Sequence, residues 1–201
     1  MNTAVRNTAR LAAAVLRALL VLTLVTGVLY PLLVTGIAQA AFPHKADGSV
    51  VRSDGQAVGS TLIGQTWNTR DGGPDRRWFQ PRPSASAYDP LASGASNLAA
   101  TSPKLTRQIE ARKKRIAAFN HVPRSAVPPD AVTASASGLD PDISPAYARI
   151  QTDRVARARG LDPADVRALV RRHTQGREAG FLGEPVVDVL ELNLALRDLH
   201  R

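Results

Sequence analysis

Hydrophobic and polar positions fall into three regimes along this chain. The first is a run of 25 residues, Ala18 to Phe42, without a single charge. Leu19-Leu20-Val21-Leu22, Val28-Leu29 and Leu32-Leu33-Val34 supply most of its bulk. At about 1.5 Å per residue, roughly 20 such residues cross a bilayer core of about 30 Å. Only a helix does so with its backbone groups satisfied internally, and there Pro31, Gly27 and Gly36 are tolerated. The rival reading is a secretory signal peptide, because Ala38-Gln39-Ala40 has the small-x-small form of a cleavage site. Signal-peptide apolar cores run to about 7–15 residues, and this one is longer. The pattern therefore predicts a retained transmembrane helix over 18–42, preceded by a short N-terminal segment, 1–17.

The second regime, 43–101, is rich in Gly, Ser, Pro and Asp, with short apolar patches at Val50-Val51 and Leu62-Ile63. Asp47-Gly48 and Asp54-Gly55 are turn signals on either side of Val50-Val51. Asp71-Gly72-Gly73-Pro74-Asp75 reads as a surface loop. Short strands and structured loops are expected here.

The third regime, 102–201, has helical periodicity and clear punctuation. Ser102-Pro103 offers an N-cap and a first-turn proline, and Leu105, Ile109, Ile116 and Phe119 then share a face up to Asn120. Ser144-Pro145 repeats the device, with Ile150 and Val155 before Gly160. Asp162-Pro163 repeats it again, leading through Val166, Leu169 and Val170 to Gly176. Residues 186–199 fit both periods: Leu190, Leu192, Leu194 and Leu196 alternate as in a strand, while Val189, Leu192, Leu196 and Leu199 make a helix face. Length and leucine content favour helix. The expected fold class is α+β: one transmembrane helix, then a single mixed domain over 43–201, helical in its C-terminal half.

Composition narrows the picture. The roughly 159 residues after the helix suffice for one core, and with aromatics at 4% that core must rest on Ala, Val, Leu and Ile. The chain has no cysteine, which excludes disulfides, thiolate metal sites and cysteine nucleophiles. The formal charge is +9. Its basic residues are interspersed with acids and lack interleaved aromatics, so nucleic acid is not expected as a partner. The one dense cluster, Arg112-Lys113-Lys114-Arg115, reads as the solvated face of a helix. Arg6, Arg10 and Arg17 precede the helix, against Lys45 and Arg52 soon after it. The positive-inside rule then sets the N-terminus in the cytoplasm and residues 43–201 outside.

No catalytic constellation assembles from the residues. Neither a phosphate-binding G-x-x-x-x-G-K-[ST] loop nor a G-x-G-x-x-G fingerprint occurs. His44, His121, His173 and His200 are widely spaced, and His173 suits the dipole at a helix C-terminus. The densest chemistry lies in Thr133-Ala134-Ser135-Ala136-Ser137-Gly138-Leu139-Asp140-Pro141-Asp142-Ile143-Ser144-Pro145. Ser135 or Ser137 could serve as a nucleophile, and Asp140 with Asp142 as a cation site. The serines lack a G-x-S-x-G turn, and two carboxylates fall short of the six or more oxygens calcium takes. The competing reading is a hydrogen-bonded loop in which Ser144 caps the next helix, with the loop offering a binding surface. Trp78, Phe79 and Arg82, beside a Pro-x-Pro turn, are either a partner contact or local core.

Taken in order, these segments resemble the C subunit of the Kdp-type potassium-transporting ATPase. The resemblance rests on Thr26-Gly27, Tyr30-Pro31-Leu32, Gln39-Ala40 with Phe42-Pro43, Gly59-Ser60 with Leu62-Ile63-Gly64-Gln65, and Arg82-Pro83-Ser84-Ala85. It continues through residues 133–145, Gln151, Arg154-Val155-Ala156, Gly183-Glu184-Pro185 and Leu192-Asn193-Leu194-Ala195-Leu196. It implies a single-pass, non-catalytic accessory subunit of a potassium uptake complex in the cell (inner) membrane. The implied partners are the lipid bilayer, a channel-like potassium-binding subunit and a P-type ATPase subunit that hydrolyses ATP. The family is described as a catalytic chaperone that raises ATP affinity on that catalytic subunit, so no cofactor of this chain's own is implied. The D-K-T-G motif expected of the catalytic subunit is absent from the sequence. Similar members often carry His where Asp142 stands and Asn where Asp188 stands, so an imidazole's role does not carry over. The alternative is a membrane-anchored external hydrolase or solute-binding protein, whose site would have to lie in Ser135–Asp142.

Overall fold

The computed structural model describes residues 3–199; His200 and the first two residues of the N-terminal segment lie outside them. The chain divides into two compact units, residues 1–49 and 50–201. The first is dominated by helix: α1 (Thr3–Leu24), a π-helical turn (Val25–Leu29) and α2 (Tyr30–Ala41) run without interruption. Val5–Ala41, 37 residues, is the stretch long and apolar enough to cross a membrane. At about 1.5 Å per residue it exceeds a bilayer core, so helix extends well beyond the charge-free run.

The π turn has a local cause. Pro31 has no N–H to donate to Gly27, and its ring crowds that carbonyl. The ladder widens just upstream, where the Tyr30 N–H reaches back to the Val25 carbonyl. Thr26 Oγ1 donates to the Leu22 carbonyl at 2.7 Å, adding a side-chain bond within this stretch. A short α3 (Pro43–Ala46) follows, and Gln39 Nε2 donates to Asp47 Oδ1 at 2.9 Å.

The second unit opens with a hairpin, β1 (Val50–Ser53) and β2 (Gln56–Ser60), paired antiparallel from Val50↔Ser60 to Ser53↔Gln56. Asp54 (φ 51°) and Gly55 (φ 81°) form its turn, the left-handed pair that matches strand twist. The register shifts between Val51 and Arg52, so Val58 is extra. At Gly59 a Cβ would lie 2.8 Å from Leu190, so glycine there permits close packing. Residues 61–101 contain no further named strand or helix.

The helical half comprises α4 (Pro103–Asn120), α5 (Pro129–Val132), α6 (Pro145–Arg159), α7 (Pro163–Arg172) and α8 (Val189–Asp198). A 3-10 turn spans Arg124–Ala126. Three short strands, β3 (Asp142–Ile143), β4 (Thr174–Gln175) and β5 (Val186–Asp188), form an antiparallel sheet ordered β3-β5-β4. Ser144 Oγ accepts from the Tyr147 N–H and Asp162 Oδ1 from the Ala164 N–H, as N-caps should. Gly160, at φ 67°, closes α6.

Helix α4 ends at Asn120, as the sequence leads one to expect; the left-handed residue that follows is His121 (φ 58°), and Asn120 itself is buried. Three expectations need correction. Ser102 makes no side-chain capping bond at α4, whose start rests on Pro103. Helix α7 ends at Arg172, so Gly176 is no helix stop; it follows β4. Within the basic cluster, Arg112 is half-buried and donates to the Val132 carbonyl at 2.9 Å, so only part of that face is solvated.

The tail resolves to helix over its leucines: Leu190, Leu192, Leu194 and Leu196 all lie in α8, and only Val186–Asp188 ahead of them is strand. Val187, Leu192 and Leu196 join Ile143, Val155, Ala156, Val166 and Leu169 in the core, where Phe79 and Tyr147 are the aromatics. Burial of this aliphatic surface, at about 25 cal/mol per Å², drives the unit together.

Candidate functional site

Residues 75–88 cross the helical core in irregular backbone, and buried side chains replace the missing strand neighbour. Asn193 on α8 grips Phe79 at both ends: Nδ2 donates to the Phe79 carbonyl (3.0 Å) and Oδ1 accepts from its N–H (2.9 Å). Gln151 on α6 does the same for Gln80, donating to its carbonyl (3.0 Å) and accepting its N–H (2.7 Å). Arg154, only 1% exposed, donates to the carbonyls of Arg76 and Trp78, to Asn120 Oδ1 and to Gln151 Oε1. Burial pulls the Arg154 pKa down to about 10, with Arg76 adding to the effect. Apolar periodicity gives no role to Gln151, Arg154 or Asn193. Their signal in the sequence is a polar residue where a helix face should be apolar.

This scaffold fixes the two candidate segments. Phe79 is fully buried in the core, so it has no surface for a partner. Trp78 is half-buried; its ring centroid lies 5.0 Å from that of Trp67, and the Arg159 guanidinium sits 4.0 Å above it. Arg82 Nη1 donates to Asp140 Oδ2 at 2.6 Å, joining the first segment to the second. Arg82 Nε is buried without a partner.

The loop over residues 133–144 is tied down along its length. Ser135 N donates to the Pro83 carbonyl, Ser84 Oγ to the Gly138 carbonyl (2.7 Å), and Gly64 N to the Leu139 carbonyl (2.8 Å). Tyr88 Oη donates to the Arg82 and Asp140 carbonyls, and burial raises its pKa. Gly138 (φ 72°) permits a tight approach, since a Cβ there would meet Ser86 Oγ at 2.7 Å and the Gly94 carbonyl at 2.8 Å. Ser135 Oγ lies 3.1 Å from Ser137 Oγ and accepts from the Gly138 N–H, while Ser137 Oγ accepts from the Leu139 N–H. Among the described residues, neither hydroxyl is hydrogen-bonded to an imidazole or carboxylate. Both serines act as turn formers within the loop.

The acidic residues separate in the same way. Asp140 accepts from Arg82 and from the Asp142 N–H. Asp142 stands opposite Asp188 in the β3–β5 pairing. Burial raises the Asp142 pKa, with Asp140 and Glu191 repelling its charge. Burial pushes Asp188 up to about 6, offset in part by its N-cap bond from the Glu191 N–H. Among the described residues, no group of three or more His, Asp and Glu side chains is placed to hold a metal ion.

Around this loop the surface forms an open hollow of about 630 Å³, lined in part by Leu62, Ile63, Arg82, Ser135, Ser137 and Asp140. Leu62 is 61% exposed and Ile63 40%. A hydrogen-bonded polar loop beside two bared aliphatic side chains combines the apolar and polar groups of a contact surface.

Comparison with known proteins decides the class. The family model described as "K+-transporting ATPase, c chain" matches residues 12–198. The chain belongs to this family. A Streptomyces coelicolor protein named potassium-transporting ATPase KdpC subunit is 50% identical over 218 residues, covering 99% of this chain and 97% of the relative. The Kineococcus radiotolerans protein of that name is 52% identical over 199 residues, covering 98% of each. The Sorangium cellulosum one is 56% identical over 181 residues, covering 89% of this chain and 92% of its own length. The KdpC match takes in the apolar helix, the loop over 133–144 and the three side chains that hold residues 75–80.

Proposed function

We propose that this chain is a non-catalytic accessory subunit of a high-affinity, ATP-driven potassium uptake complex. The observation that carries this reading is the K+-transporting ATPase c-chain match over residues 12–198. Helix Val5–Ala41 anchors the subunit in the cell membrane as a single pass. Arg6, Arg10 and Arg17 support a cytoplasmic N-terminus, which puts residues 43–201 outside.

The partners are a channel-like subunit that binds potassium and a P-type ATPase subunit that hydrolyses ATP. The chain stabilises their assembly and supports potassium-stimulated hydrolysis. From outside the membrane, any effect on ATP affinity passes through the partner subunits. The surface formed by Leu62, Ile63, Arg82 and the Ser135–Asp142 loop is the docking face. Ser135 and Ser137 point to no hydrolase, since their hydroxyls are engaged within the loop.

The test is affinity purification of the tagged, full-length chain from native membranes grown at low potassium. A P-type ATPase and a large polytopic subunit should co-purify. Recovery of the intact chain alone would overturn the reading.

A further inference from the structure

Away from the loop, α4, α6 and the segment before Trp78 enclose a second hollow of about 340 Å³. It is lined by Arg76, His121, Arg154, Arg157 and Ala158. Three guanidiniums and an imidazole therefore face one small space, and no Asp or Glu among the described residues lines it. Asp75, next in sequence, has its carboxylate held by Arg77 at 2.7 Å, and Arg77 keeps the Asp75 pKa low. Asp153 contributes only a backbone carbonyl here, to Arg157 Nε, while its carboxylate accepts from Arg167.

The cations are positioned by the fold. Arg154 is buried and anchored by the bonds described above. Arg76 and Arg154 both lie over the Phe119 ring, at 5.3 and 4.6 Å from its centroid. Arg76 Nη2 is 2.8 Å from His121 Nε2. A guanidinium can only donate, so His121 Nε2 accepts and the ring proton sits on Nδ1. His121 itself holds the left-handed conformation (φ 58°) at the end of α4, a position where glycine is easier. A side chain that keeps a strained backbone position and orients an arginine has the marks of a site. Among the described residues Arg157 is bonded through Nε alone, to the Asp153 carbonyl, and its side chain is exposed.

We propose that the Arg76–His121–Arg154–Arg157 hollow binds a phosphate-type oxyanion. Such an anion would accept from the free guanidinium N–H groups of Arg76 and Arg157 and relieve the repulsion among the three arginines. The hollow has room for one phosphate group and nearby waters. The same chemistry is offered by free phosphate and by a phospholipid headgroup.

The test is calorimetric titration of the purified full-length chain with inorganic phosphate, at ionic strength held constant with chloride. Expected is saturable one-to-one binding, weakened about tenfold or more by Arg76→Gln and by Arg157→Gln. Arg107→Gln, which removes an equal charge elsewhere on α4, should leave it unchanged. Both site arginines are exposed, and native tryptophan fluorescence confirms that each variant is folded. Competition by glycerol phosphate assigns the site to soluble phosphates, and competition by short-chain phosphatidylglycerol below its micellar concentration assigns it to headgroups. Absence of saturable binding, failure of both competitors, or equal weakening by Arg107→Gln would overturn the proposal.

Discussion

Residues 61–101 and residues 145–172 belong to the same folded unit but are held by different physics. Helices α6 and α7 satisfy their own backbones and need the core only to bury one face. Residues 61–101 have no such ladder. Residues 75–80 are held by Asn193, Gln151 and Arg154, side chains that lie as many as 114 positions away in sequence. Gly64, Pro83, Ser84 and Gly94 are tied to the 133–144 loop. Buried backbone groups must be paired with something, and here the pairing is done by amides and a guanidinium on distant helices. Helices can thus be changed locally with local consequences, whereas the loops fail when a remote polar side chain is lost.

The contrast can be broken most severely at Arg154. Arg154→Ala leaves the Arg76 and Trp78 carbonyls and the Asn120 and Gln151 side-chain oxygens short of a donor. At about 1–3 kcal/mol for each buried group left unsatisfied, it should destabilise the unit by about 3–5 kcal/mol. Denaturant unfolding of the full-length chain, followed by the fluorescence of Trp67 and Trp78, measures this directly, since these are the only tryptophans present. Next comes Asn193→Leu, close in size but unable to pair with Phe79. Leaving the Phe79 N–H and carbonyl without a partner should cost about 2–4 kcal/mol by the same assay.

Asp188→Asn should act in the opposite direction. The Asp188 pKa is pushed up to about 6 in the fold, against about 4 for a free carboxyl. The folded state holds this proton more tightly than the unfolded chain does. Stability from this group is therefore complete below about pH 4, falls as pH rises to about 6, and is flat above. Asparagine still caps α8 but carries no charge, so it should add about 1–2 kcal/mol at pH 7. It should also flatten most of that pH slope, leaving what Asp142 contributes in the same sense. Unfolding midpoints between pH 4 and 8 check both statements.

The smallest effects sharpen the helical side. Ser144→Ala removes a real cap from α6 and should cost about 1 kcal/mol. Ser102→Ala removes no capping bond and should cost no more than about 0.3 kcal/mol. Equal losses at the two serines would show that the proline at the first helical position, not the side-chain cap, sets these helix starts.

The same division governs what could be read from the sequence. Helices α6 and α7 announce themselves because Ser144-Pro145 and Asp162-Pro163 are local signals. The long apolar helix does so by length alone. Ser102 looks the same in sequence and caps nothing, and Gly176 resembles a helix stop because Thr174-Gln175, a two-residue strand, is too short to leave a pattern. The turn at Asp54-Gly55 was legible; the pairing of residues 75–80 with Gln151, Arg154 and Asn193 was not. Side-chain-to-backbone bonds across such separations leave no periodicity. For the candidate site, residues 133–144 stood out by composition, but the Arg82–Asp140 bond and the tie from Ser84 to Gly138 appear only in three dimensions. Phe79 could be read equally as a contact or as core, and its complete burial decides for core.

The central claim is that this chain completes a potassium-transporting complex by docking through its loop surface. Potassium-stimulated ATP hydrolysis should be measured on the complex purified through its other subunits. Preparations would come from cells lacking this chain, or supplying it as wild type or as Leu62→Asp. The account predicts loss of activity without the chain, full recovery with the wild type and poor recovery with Leu62→Asp, whose side chain is exposed and outside the core. Full activity and intact assembly without the chain would contradict it.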